Sequence, residues 1–213
     1  MEVLKCKGKG TKADLTDNDI MRVKDVLKAG HLVVYPTETL YGLGANALDE
    51  NAVKRVYMAK NRPFDMPLSV AVSDMQMLEH VAIMDQTSRK LAEKFMPGPI
   101  TLILTKKPLV PDIVTSASDE VGIRMPDNAL ALRLIKAFGP ITSTSANLHS
   151  RPDPVTVNSA MKDLKDAVSL YIDCGKTKLG VHSTIVAVHE GDTEIIRHGA
   201  ISDKQIEAAL NGR

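Results

Sequence analysis

Four cations stand where regular elements give out. Lys60 and Arg62 close a helix pattern, Arg124 ends one strand pattern, and Arg197 ends another, just before His198-Gly199. Small polar side chains keep them company: Thr39 beyond the first apolar strand, Thr144, Ser145 and Asn147 beyond a later one, and Ser183-Thr184 at the start of a third. Guanidinium forks grip phosphate or carboxylate oxygens in pairs, and lysine adds a point charge. Charge-assisted bonds of this kind contribute about 1.5–3 kcal/mol each. Taken singly, each residue has a plain structural reading. A strand-end arginine is a solvated or paired charge, Ser-Thr-Ser-Ala-Asn is turn chemistry, and Lys60 is a snorkelling lysine. Gathered at one sheet edge, they fit a polyphosphate. Lys60 also falls seven residues after Val53, on the inward line of Val56 and Tyr57, with no acid one turn before it. An inward lysine without an acid predicts an external anion.

Other chemistries are missing from the chain. It has no GxxxxGK[ST], no HExxH, no GxSxG and no metal-spaced cluster of cysteine or histidine, so no metal ligands are expected from the protein. The six histidines are scattered and read as structural or exposed. Residues 42–47, Gly-Leu-Gly-Ala-Asn-Ala, fit the dinucleotide pattern GxGxxA. That pattern wants its first glycine at the very end of a strand. Here Pro36 to Tyr41 intervene, which argues against a nicotinamide cofactor.

The elements that must position these residues follow from periodicity and punctuation. Residues 32–35 read as an apolar strand, 36–39 as a turn and 41–44 as a glycine-broken loop. Asp49 caps a helix that Pro63 closes. Strands are predicted over 68–72, 100–105, 120–124 and 141–144, with an edge strand over 3–6 ahead of a glycine-rich stretch, 7–10. Helices are predicted after Thr16, after Ser73 (about 74–81), after Asp85 (86–95), after Asp127 and after Thr156. A polar loop fills 106–118 and a proline-rich one 151–154. Strands at 168–173, 183–188 and 193–197 then come in near succession, and Ser202 with Gln205 forms a capping box for a last helix. The order, α/β first and β-rich later, predicts a twisted mixed parallel/antiparallel sheet flanked by helices. Strand ends and their loops are where open α/β sheets bind ligands, so a basic concave cavity is expected there.

Composition sets the class. With 213 residues, 44% apolar and 25% charged, the chain reads as one domain, 1–213, able to bury a core without staples. There is no tryptophan, and aromatics are only 3%, which leaves little for a base-stacking platform. A net charge of +1 creates no global field toward nucleic acid or membrane. Cys6 and Cys174 stand far apart and read as unpaired thiols of a reducing compartment. No apolar leader and no run near the ~18 residues of a membrane span is present, so a cytoplasmic protein without a membrane partner is expected.

In this order and spacing the motifs resemble one family. They are Pro36-Thr37-Glu38-Thr39-Leu40-Tyr41-Gly42-Leu43-Gly44, Lys60-Asn61-Arg62-Pro63 with Pro67-Leu68, Pro97-Gly98-Pro99-Ile100-Thr101, Arg124-Met125-Pro126, Thr144-Ser145-Ala146-Asn147, Ser183-Thr184-Ile185 and Arg197-His198-Gly199-Ala200. Over nearly the whole chain the sequence resembles the YrdC family of threonylcarbamoyl-AMP synthases. The resemblance implies a nucleotidyltransferase acting on ATP, L-threonine and bicarbonate or carbon dioxide, with Mg²⁺ accompanying the nucleotide. Threonine's amine is carboxylated, the carbamate attacks the α-phosphate, and pyrophosphate leaves. A downstream transferase complex then carries the group to tRNA. It further implies Lys60 and Arg62 as catalytic residues on the triphosphate; Arg197, Ser145 and Asn147 on the nucleotide; and Thr39, Arg124, Thr144 and Ser183 on threonine. No general base is assigned.

The sequence departs from the family at Leu148-His149-Ser150-Arg151-Pro152, where a Ser-Gly pair before proline is usual. Ending at Arg213, it reads as the short form, so closure of the site would fall to a loop such as 149–155. The alternative reading is an RNA-binding module that puts the same cavity on tRNA or double-stranded RNA without catalysis. The related carbamoyl-transfer domain of hydrogenase maturation factors is disfavoured, since no acylphosphatase or zinc-finger-like segment accompanies it.

Overall fold

The computed structural model describes residues 1–8 and 13–211; the second half of the 7–10 glycine-rich stretch and Arg213 lie outside them. In chain order the elements are β1 (Glu2–Lys5), α1 (Asp17–Lys28), β2 (Val33–Tyr35), β3 (Gly42–Gly44), α2 (Glu50–Lys60), β4 (Ser69–Ala71), α3 (Met75–Val81), α4 (Gln86–Phe95) and β5 (Ile100–Thr105). They continue with α5 (Asp112–Thr115), β6 (Glu120–Arg124), α6 (Ala129–Phe138), β7 (Ile141–Ser145), α7 (Val157–Leu164), β8 (Leu170–Asp173), β9 (Thr184–His189), β10 (Asp192–Arg197) and α8 (Asp203–Leu210). The strands form one mixed sheet in the order β1-β8-β2-β3-β7-β4-β6-β5-β9-β10. Alternation along the strands divides the core between its two faces. Val34 and Tyr171 pack in one cluster with α2, α4 and α7, whereas Val33, Tyr35, Leu170 and Ile172 pack in the other with α1 and α6.

Helix starts obey local chemistry. Thr16 and Thr156 close capping boxes with Asp19 and Ser159, and Ser202 does so with Gln205. Two caps fall one residue later than the sequence predicts, at Asp74 and Asn128, because those side chains reach the amides of Met77 and Ala131. The stop of α2 comes before Pro63, at Asn61, which takes the left-handed conformation at φ 49°.

Three expectations are corrected. Residues 42–44 are a strand, β3, antiparallel to β2 and β7. Their glycines serve close approach rather than looping: a Cβ on Gly42 would sit 2.8 Å from the Tyr35 ring. The polar loop at 106–118 carries the short helix α5. Cys6 and Cys174 are bonded, with Cα atoms 5.0 Å apart. Parallel pairing of Lys5 with Asp173 sets the two following residues side by side, a juxtaposition that 168 residues of separation hide.

Candidate active site

A cavity of about 250 Å³ opens where β4, β6, β7, β9 and β10 meet the turn between β2 and β3. Arg62, Arg124 and Arg197 line it, as do Thr39, Thr144, Ser145 and Ser183. Seven of the nine residues singled out from the sequence therefore share one concavity. Lys60 and Asn147 do not line it. Thr37, Thr101, Ser143 and His182 also line it and were not singled out. Thr37 and Thr101 carry a sequence signal, since they lie in the Pro36–Gly44 and Pro97–Thr101 motifs. His182 carried no such signal.

Each arginine is tethered by one edge. Arg62 donates from Nε to Met66 O (3.1 Å) and from Nη2 to Pro67 O (3.0 Å). Arg124 donates from Nη2 to Glu38 Oε1 (2.9 Å) and Thr39 Oγ1 (2.5 Å). Arg197 donates from Nη2 to the Ser183 carbonyl (2.9 Å) and hydroxyl (3.1 Å). Among the described residues Nη1 of all three has no protein acceptor. Burial pulls the Arg62 and Arg197 guanidinium groups below their ordinary values, and Arg124 beside Arg197 adds to it. Like charges brought this close, each with a donor to spare, favour an anion between them.

The hydroxyls are organised as well. Thr37 Oγ1 sits 2.9 Å from Thr39 Oγ1 and donates to Leu40 O, which holds the turn in shape. Thr101 Oγ1 lies 2.9 Å from Ser183 Oγ, joining β5 to the start of β9. The Glu38 carboxylate is buried, and its only partner among the described residues is Arg124.

Lys60 departs from the expectation that it greets an external anion. It is 2% exposed, and Nζ donates to Ser145 O (2.5 Å), Asn147 O (2.6 Å) and Asn147 Oδ1 (3.2 Å). Its partners are internal carbonyl oxygens, which a search for acids could not find. Burial, with Arg62 nearby, brings its pKa down to about 7. The Asn147 amide in turn donates to Arg151 O (2.8 Å) and Pro152 O (3.2 Å), so Lys60 ties the end of α2 to the loop that follows β7.

On the cavity's rim, His182 Nε2 meets Asp153 Oδ1 at 3.0 Å. The described residues bring no group of three or more metal-ligating side chains together. None of their helices is long and apolar enough to cross a membrane.

Comparison with known proteins adds four findings. A family profile for Sua5, YciO and YrdC, described as Telomere recombination, matches residues 25–199. Threonylcarbamoyl-AMP synthase of Pyrococcus abyssi is 40% identical over 186 residues, 86% of this chain and 55% of that protein. A relative in Methanocaldococcus jannaschii is 40% identical over 88% of this chain and 91% of its own length. Among solved structures, P. abyssi Sua5 complexed with L-threonine superposes with a TM-score of 0.92 at 36% identity, covering 98% of this chain and 61% of that one. The chain thus spans little more than half the length of the P. abyssi protein.

Proposed function

The chain belongs to the Sua5/YciO/YrdC family, and from that premise we propose that it makes threonylcarbamoyl-AMP from L-threonine, bicarbonate or carbon dioxide, and ATP. The observation that carries the reading is the meeting of three edge-tethered arginines, from three distant segments, around one hydroxyl-lined cavity. Such a cavity is a basic binding site for a nucleotide and an amino acid together.

A carbamate oxygen of N-carboxythreonine attacks the α-phosphorus of ATP. The bond from that phosphorus to the bridging oxygen breaks, and pyrophosphate leaves with the electron pair. Negative charge grows on the bridging oxygen, and preorganised guanidinium donors stabilise it. Arg62 faces the triphosphate, while Arg197 and Ser145 hold the nucleotide. Arg124 takes the threonine carboxylate. Thr39, Thr144 and Ser183 surround threonine's hydroxyl, so valine would leave a site hydroxyl unpaired. Lys60 and Asn147 act one layer back: Lys60 Nζ holds the Ser145 and Asn147 carbonyls, and Asn147 Oδ1 accepts from the Ser145 hydroxyl. Among the described residues no donor set of three or more ligating side chains comes together for a metal. The Mg²⁺ expected with ATP would be carried by phosphate oxygens and water. The L-threonine in the P. abyssi Sua5 structure supports the same substrate here. Within a cell the product would pass to a tRNA-modifying transferase, which fits a cytoplasmic enzyme.

Purified protein with ATP, Mg²⁺, bicarbonate and L-threonine should release pyrophosphate, with much less release on serine or valine. Absence of threonine-dependent release, combined with RNA affinity that falls steeply with salt, would replace this reading with the RNA-binding one.

A further inference from the structure

Carboxylating threonine requires its ammonium group to lose a proton first, and none of the arginines can take it. His182 is a titratable group without a cationic role on the cavity wall, and its surroundings are built to aim it. Its segment is pinned to the turn between β2 and β3 by two backbone bonds, Leu179 N to Glu38 O (2.8 Å) and Gly180 N to Thr39 O (3.0 Å). The segment carrying Asp153 is pinned to the same turn by Tyr41 N to Pro154 O (2.8 Å). Base and orienting carboxylate thus hang from one rigid turn, and meet at 3.0 Å through Nε2 and Oδ1. With Nε2–H donated to Asp153, the ring's lone pair is on Nδ1. This is the arrangement of a general base held by a third group.

We propose that His182 is the general base that deprotonates the amino group of threonine, with Asp153 as its positioning residue. The proposal rests on the threonylcarbamoyl-AMP reading above. Nδ1 takes one proton from the ammonium, and the freed nitrogen lone pair forms the N–C bond to carbon dioxide as one C–O π bond becomes the carboxylate. The second nitrogen proton then leaves to water, giving the carbamate. The charged groups facing the imidazole are Asp153 on the 151–155 loop, Arg197 on β10 and Arg124 on β6. Partial burial and the two arginines hold the imidazole below its ordinary value against the pull of Asp153, so it is neutral and able to accept at pH 7.

The test is the pH dependence of threonine-dependent pyrophosphate release in the full chain, read as kcat/KM for threonine. In the wild type, the productive pair is ammonium threonine with neutral His182. The profile should rise on a low-pH limb, run flat through neutrality, and not climb further. His182→Gln should lose roughly 100-fold near neutrality, and its activity should then climb with pH as threonine deprotonates itself. Asp153→Asn should lose less and move the low-pH limb further down. His182→Ala should regain activity with added imidazole. Both side chains are partly exposed (41% and 34%), and circular dichroism checks that the variants fold. A His182→Gln profile parallel to wild type, whether undiminished or lowered by a constant factor without imidazole rescue, overturns the base assignment and leaves the synthase reading intact. A wild type without threonine-dependent release overturns both.

Discussion

At the scale of single residues, the lysine and the arginines do different work although all are cations in one neighbourhood. Arg62 has a donor to spare at the cavity, whereas Lys60 spends its hydrogen bonds on carbonyl oxygens of the chain. Arg62→Ala should therefore abolish most pyrophosphate release with little change in the urea midpoint. Lys60→Met should lower both, since a buried polar group left without its partner costs about 1–3 kcal/mol. The same lysine gives a pH signature. Its pKa is about 7 in the folded chain, against roughly 10.4 unfolded, so the unfolded chain binds more protons between those values. Stability from this group is lowest below neutrality and rises with pH across that window. Urea midpoints of the wild type should climb with pH relative to those of Lys60→Met, and parallel curves would remove the assignment. Glu38 and Arg124 form the other buried pair, with side chains 3% and 11% exposed. Glu38→Ala strands the guanidinium and should cost about 3–5 kcal/mol, with a raised threonine KM.

At the scale of elements, two glycines show how strand packing sets the cavity's shape. Gly42 lies in β3 against the buried Tyr35 ring, and Gly199 follows β10 with its Cβ position 2.5 Å from Ser183 C and Thr184 N. Gly42→Ala must push a ring, while Gly199→Ala must push backbone that carries Ser183 and His182. Both should destabilise, by about 1–3 kcal/mol for an overpacked core position. Gly199→Ala should cost more activity at equal loss of stability, and activity compared at matched folded fraction decides it. Neither contact is legible in a sequence, because glycines in a row suggest looping and the partner lies elsewhere in the chain. Locally determined features were legible: strands 100–105 and 120–124, the helix starts after Thr16 and Thr156, the Ser202 box, and the inward face of α2. Polar residues at helix and strand ends likewise pointed to Arg62, Arg124, Arg197 and Ser183. What escaped is non-local: β3 as a strand, the Cys6–Cys174 bond, the carbonyl partners of Lys60, and the Asp153–His182 pair, whose members sit on irregular segments without periodicity.

At the scale of the molecule, the sheet is two blocks of strands that meet at β7. On one side it pairs with β3 through only Gly42 with Ser145 and Leu43 with Thr144; on the other it pairs with β4 through Ser69, Val70 and Ala71. The cavity straddles this seam. Thr39 comes from the β2–β3 side, while Arg124 in β6, Ser183 just before β9 and Arg197 in β10 come from the other. A ligand that engages both sets of donors acts as an extra tie across this two-residue pairing. Anything that binds only the folded state stabilises it by RT ln(1 + [L]/Kd), about 2.7 kcal/mol at a hundredfold excess over Kd. For a chain of this size that corresponds to a rise in Tm of roughly 5–10 °C. ATP with threonine should raise Tm by more than either alone if both occupy the one cavity and share its ordering cost. Hydrogen exchange should slow most at the amides of β7 and β3, where the tie is made. A Tm rise with protection confined to the outer strands would mean that the ligand binds elsewhere, and the cavity would lose its claim to the chemistry.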